Sequence, residues 1–177
     1  MKILIVYGTG EGQTRKIARY MEDVLTKENH QVVIADATEE PPRPDDFDAV
    51  LIGASIHIQK YQKAVRHYVM DNVEVLNKRH SAFFSVCMAV ASDIREEHEE
   101  AHRIAEAFLE KTDWQAKQVK HIAGALRYTQ YDYFKRLIMR MIAKKEGGPT
   151  DTSQDYEFTD WEDVRKFVID FANQSRS

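Results

Sequence analysis

The chain has 177 residues, 43% hydrophobic and 31% charged, which suits one soluble α/β domain around one buried core. A formal net charge of -4 gives no overall field that points to nucleic acid as a partner. The lone cysteine, Cys87, excludes an internal disulfide and a multi-cysteine metal site, and it fits a reducing compartment.

The apolar opening, Met1 to Val6, is too short for a signal peptide, and no stretch approaches the ~20 apolar residues of a spanning helix. A membrane contact is therefore expected only at the surface. Lys2 to Tyr7 reads as a buried parallel strand that runs into a glycine-rich turn. Ile17, Ala18, Met21, Val24 and Leu25 follow at helical spacing. Gln31 to Asp36 is a second strand, the prolines at 41, 42 and 44 form a loop, and Ala49 to Ala54 is a third strand. A helix carries Ala64, Val65, Tyr68, Val69, Val73 and Leu76, and Ala82 to Met88 is a fourth strand. Ile94 to Leu109 is a charged helix, and Val119 to Ala125 a fifth strand. The last helix opens at Asp160, an N-cap with Asp163 as its acidic partner, and turns Val164, Phe167, Val168 and Phe171 inward. Alternating strands and helices predict a doubly wound parallel sheet with its ligand at the carboxyl ends of the strands. Arg127 to Asp155 breaks the rhythm as a long insertion.

The first turn carries the clearest chemistry. In Thr9-Gly10-Glu11-Gly12-Gln13-Thr14 the glycines let backbone N–H groups approach an anion, the helix start adds positive charge, and two threonines add hydroxyls. No lysine and no GxxxxGK[ST] sequence is present, so an ATP or GTP loop does not fit, and the spacing is not GxGxxG. A terminal monophosphate held by neutral donors fits better; the alternative is a glycine turn with no ligand. Ile5 to Ala18 resembles the flavodoxin signature at the apolar pair, Tyr7, Thr9, Gly12, Thr14 and Ala18. That resemblance implies non-covalent FMN with its phosphate at Thr9 to Thr14. It also implies a flavodoxin-like five-stranded parallel sheet in order 2-1-3-4-5, with the helical insertion after or within the fifth strand.

In such a fold the loops after the third and fourth strands flank the flavin. Here they supply Ser55, Ile56, His57 and Tyr61, and Met88, Ala89 and Val90. Carrier flavodoxins sandwich the ring between aromatics and surround it with acids, and this chain departs from that pattern. Fewer nearby negative charges penalise the anionic reduced flavin less, which suits oxidation of an organic substrate. His57 is a proton donor, a substrate contact or a solvated loop histidine. Tyr61 is a flavin neighbour or a packing residue at a helix start. Cys87 reads as a small buried residue.

Within the insertion, Phe134, Leu137, Ile138, Met141 and Ile142 form an apolar stripe at helical spacing. Lys135, Arg136, Arg140 and Lys144 lie beside or opposite it, Tyr128, Tyr131 and Tyr133 precede it, and Gly147-Gly148-Pro149 stops it. A basic amphipathic helix of this kind lies in a membrane interface or packs on the core with a solvated back. Val50 to Ile56, Ile122 to Tyr128, Gly147 to Thr152 and Thr159 to Glu162 resemble the bacterial menaquinone-dependent protoporphyrinogen oxidase family over nearly the whole chain. The resemblance implies protoporphyrinogen IX as donor, a respiratory quinone as acceptor and three two-electron rounds in haem synthesis. It implies a cytoplasmic enzyme, peripheral on the inner-membrane surface. Arg127, Tyr128, Lys135, Arg136, Arg140 and Lys144 are then the substrate or membrane candidates, with Arg127 and the basic residues available to porphyrin propionates. No catalytic base and no metal ligand is assigned. An electron-carrier flavodoxin and an FMN quinone reductase are the competing readings.

Overall fold

The computed structural model describes residues 1–130, 133–145 and 147–175, without the side chains of residues 130, 133–135, 137 and 138. Lys2–Gly8 (β1), Gln31–Asp36 (β2), Ala49–Ser55 (β3), His80–Cys87 (β4) and Gln118–Ala123 (β5) form one parallel sheet in the order β2-β1-β3-β4-β5. The expected flavodoxin-like order is therefore present.

Side-chain alternation on β1 builds both faces. Ile3, Ile5 and Tyr7 join Ile17, Met21 and Leu25 of α1 (Gln13–Lys27) and Val164, Val168 and Phe171 of α5 (Trp161–Gln174). Leu4 and Val6 join Val65, Val69 and Leu76 of α2 (Lys63–Lys78) and Phe108 of α3 (Arg95–Thr112). A strand apolar on both sides is the signature of a sheet covered twice. The chain leaves β1 toward β2 and later returns to β3 on the other side. The carboxyl ends of β1 and β3 are thus the switch point where such sheets hold ligands.

Several boundaries differ from the sequence expectation. β4 ends at Cys87, and Met88–Ala91 form a 3-10 turn. Ile94 caps α3, whose helix runs from Arg95 to Thr112. β5 ends at Ala123 rather than Ala125, because Gly124 turns the chain: its N–H donates to the Cys87 carbonyl and its carbonyl accepts from Phe158, both at 3.1 Å. Ala125–Leu126 (β6) then pairs antiparallel with Tyr156–Glu157 (β7). The insertion, including α4 (Tyr133–Lys145), follows the fifth strand and is clasped at its base by this short pair. Asp160 caps α5 as expected, accepting from the Asp163 N–H at 3.0 Å. The Asp163 carboxylate does not reach back; it pairs with Lys120 at 2.6 Å. The reciprocal bond of a capping box uses the longer Glu or Gln. Among the described residues no helix is long and apolar enough to cross a membrane.

Candidate functional site

A cleft of about 510 Å³ opens at the carboxyl edge of the sheet, at the switch point. It lies within the ~300–1,000 Å³ range of cofactor sites. Its floor is the β1–α1 turn. The Thr9 hydroxyl accepts from the Gly12 N–H at 2.8 Å, and Gly12 takes a left-handed φ of 89° at the helix cap. That conformation is open to glycine at little cost. Gly10 must also be small, because a Cβ there would sit 2.3 Å from Nε2 of His57. The turn and the loop after β3 are thereby in contact.

Thr14 gives the turn its purpose. It is fully buried, and its hydroxyl has no hydrogen-bond partner among the described residues. A buried polar group left unsatisfied costs about 1–3 kcal/mol, so the site is shaped for an acceptor. The first turn of a helix also directs N–H groups and partial positive charge outward. Together these features fit an oxyanion, and the absence of lysine from the turn suits a terminal monophosphate.

Thr9, Glu11, Gln13, Thr14, Ser55, Ile56, His57 and Met88 come together on the cleft wall. Gln13 differs from expectation in what its amide does. Its Nε2 donates to Thr159 at 2.9 Å and Glu157 at 3.2 Å, and its Oε1 accepts from Arg127 at 2.7 Å. It ties the β1–α1 turn to the base of the insertion. Burial alone would raise the Glu157 carboxyl, but hydrogen bonds from Lys16, Gln13 and Trp161 outweigh it and hold the group below its ordinary range. Ser55 accepts from the Gln62 amide at 2.7 Å, and Ile56 extends the sheet by donating to the Val86 carbonyl at 2.9 Å. Beyond His57 the loop closes in a tight turn, with Ile58 and Gln59 at φ 47° and 59°. A β-branched residue in that region is strained, and Ile58 stands 95% exposed at the lip of the cleft.

Tyr61, Ala89 and Val90 do not line the cleft. Tyr61 is the packing residue of the two alternatives: its ring sits edge-on to Phe83 and Phe108 at 5.1 and 5.0 Å, and its hydroxyl meets Ser85 at 2.7 Å. Burial pushes that phenol well above its usual range. Ala89 and Val90 lie in the 3-10 turn and direct backbone N–H groups at the Cys87 sulfur, yet burial dominates and pushes the thiol up. Cys87 itself is half-buried on the cleft wall, together with Val86, Gly124, Leu126, Met139 and Ile142. Sequence reasoning missed these residues. The first two were accessible, since Val86 and Cys87 end the fourth strand where a ligand must lie. No Phe, Tyr or Trp is among the described residues of the wall, and Glu11 is the one acid there.

The insertion candidates divide. Tyr128 is fully buried, donates to the Pro149 carbonyl at 2.9 Å and packs with Leu126, Met88, Met139, Tyr156 and Phe158. It is a core residue of the insertion, not a surface contact. Arg127 is matched inside the molecule by Gln13 and by Asp155 at 3.6 Å, rather than standing ready for a propionate. Arg136 is half-buried and holds the Tyr128 carbonyl at 3.1 Å. Arg140 and Lys144 are exposed. Lys135, Phe134, Leu137 and Ile138 have side chains outside the described residues, as does Tyr131 entirely. Met139 and Ala143, which are not on the sequence stripe, face inward, while Met141 is 65% exposed.

Comparisons agree with this architecture. The family described as Flavodoxin domain matches residues 4–153. The chain is 36% identical over 174 residues to protoporphyrinogen IX dehydrogenase [quinone] of Escherichia coli K12, covering 98% of this chain and 96% of that one. It is 33% identical to the protein of the same name from Leishmania major, covering 97% and 74%. Among solved structures, oxidised flavodoxin 1 of Bacillus cereus superposes with a TM-score of 0.59 at 13% identity, covering 98% of each chain. Flavodoxin 2 of the same organism gives 0.58 at 20% identity, covering 98% and 99%. At such identities the likeness speaks for the fold alone.

Proposed function

Since the chain belongs to the flavodoxin-domain family, and within it to the protoporphyrinogen IX dehydrogenases, we propose that this oxidoreductase uses FMN to oxidise protoporphyrinogen IX. On this reading menaquinone is the electron acceptor and the reaction belongs to haem synthesis. The observation that carries the reading is the buried Thr14 hydroxyl, unpartnered among the described residues, beneath a cleft walled largely by aliphatic and sulfur side chains.

FMN supplies a two-electron acceptor for hydride equivalents, and the protein supplies position and electrostatics. Thr9 to Thr14 would hold the phosphate through backbone N–H groups and the Thr14 hydroxyl. Ser55, Ile56, His57 and Met88 would wall the ring. With Glu11 as the one acid on the described wall, negative charge gained on reduction is opposed less than in an acidic site. The balance is simple: the porphyrinogen loses six electrons and six protons, and three quinones leave as quinols. Mixing the FMN-loaded protein anaerobically with protoporphyrinogen IX is expected to bleach the flavin and raise porphyrin fluorescence, and added quinone is expected to restore the flavin spectrum. A flavin that stays oxidised would support the electron-carrier reading instead.

The reading also puts the enzyme on the cytoplasmic face of the inner membrane, as a peripheral protein. The support is α4, where Arg140 and Lys144 are exposed near Met141 and Ile142, themselves 65% and 41% exposed. Arg140→Gln is expected to weaken binding to anionic liposomes by about 1 kcal/mol at low salt, and by less as salt rises. Co-sedimentation checks this, with FMN content as the control for folding. Binding that does not change would mean that α4 is a packed lid and not a membrane contact.

A further inference from the structure

Beside the cleft lies a second, half-open cavity of about 100 Å³, between the 3-10 turn after β4 and the inner side of α4. Met88, Leu126, Met139 and Ile142 line both spaces, so the smaller one opens off the larger. Ser92 is the one polar side chain among the described residues that line it, and Ala91 and Ala143 keep its two walls low. The geometry points to a binding site for the first prenyl unit of a quinone's side chain, separate from the place where the ring meets the flavin. This rests on the quinone-linked reading above.

Size, lining and position each narrow the occupant. An apolar cavity of about 150 Å³ takes the six carbons of a benzene ring, so by proportion 100 Å³ takes about four, the bulk of one branched prenyl unit. A tetrapyrrole is several times too large. Its carboxylates would also find no lysine or arginine among the described lining residues. A free aliphatic metabolite would need a polar anchor, and Ser92 alone offers one. A prenyl chain needs none, because it arrives attached to a ring already held in the cleft. The outer wall includes Ile142, which is 41% exposed and leaves the rest of the chain a way out of the cavity.

The test compares two probes on the FMN-loaded protein: 2-methyl-3-prenyl-1,4-naphthoquinone, and 2,3-dimethyl-1,4-naphthoquinone, which has the same ring without the prenyl unit. Binding is read by equilibrium titration, with [methyl-13C]methionine NMR as a second signal. The prenylated quinone is expected to bind about tenfold tighter and to shift the Met88 and Met139 methyl resonances further. Ala143→Leu, which fills the cavity, is expected to abolish the difference between the two probes. Ala91→Leu fills it from the opposite, exposed wall and makes the same test if the first variant fails to fold. Equal affinity of the two probes for the unaltered protein would overturn the assignment. Such a result together with porphyrinogen oxidation would leave the proposed function standing. A tenfold preference without porphyrinogen oxidation would remove the donor and keep the quinone site.

Discussion

Replacing Thr14 with Val is expected to move two quantities in opposite directions. FMN affinity should fall by about 1–3 kcal/mol, roughly fivefold to 150-fold, because a phosphate oxygen loses a buried donor. The FMN-free protein should become more stable, because the variant no longer buries a hydroxyl with no partner. Val is close to Thr in shape, so packing around the fully buried position changes little. The opposed signs separate this explanation from a simple packing defect, which would lower both. Fluorescence titration of the FMN-free protein gives the first quantity, and thermal denaturation of the same sample gives the second. An unchanged FMN affinity would move the phosphate away from the β1–α1 turn. A drop in FMN-free stability would mean that the Thr14 hydroxyl is satisfied in solution.

The five-stranded sheet was legible because its signals are local. Central parallel strands are continuous apolar runs, and β1 and β3 are bounded by turn chemistry within one or two residues of where they end. The glycine turn between β1 and α1 was legible for the same reason: its glycines, threonines and following helix are neighbours in sequence. The helix of the insertion was legible too, but the roles of its flanking residues were not, because they are set by partners far away along the chain. Nothing near Arg127 announces that Gln13, 114 residues earlier, will take its guanidinium. Nothing near Tyr128 announces that the Pro149 carbonyl will take its hydroxyl. The face of α4 was ambiguous for a different reason. Leu137, Ile138, Met139, Met141, Ile142 and Ala143 are apolar almost without interruption, so helical spacing marks no single side. Contact with the cleft decides it, turning Met139 and Ala143 inward.

Tyr128→Ala is the substitution expected to cost most. Removing a large, fully buried aromatic costs about 3–5 kcal/mol, and the Pro149 carbonyl also loses its donor. The loss falls on a small cluster of its own, made of Leu126 and Tyr128 with Met88, Met139, Tyr156 and Phe158. The two clusters that cover the sheet do not include Tyr128. The consequence should therefore be local. Hydrogen exchange is expected to show α4 and the β6–β7 clasp losing protection while β1, β3 and β4 keep theirs. FMN should still bind, since Thr9 to Thr14 belongs to the sheet edge. Quinone-linked turnover should fall, since Met88 and Met139 line the cleft and lose their support. Tyr128→Phe isolates the hydroxyl and should cost about 1 kcal/mol, with α4 still protected. If Tyr128→Ala unfolds the whole chain in one step, the insertion is an integral part of the core. If α4 stays protected, something other than this cluster holds the helix over the cleft.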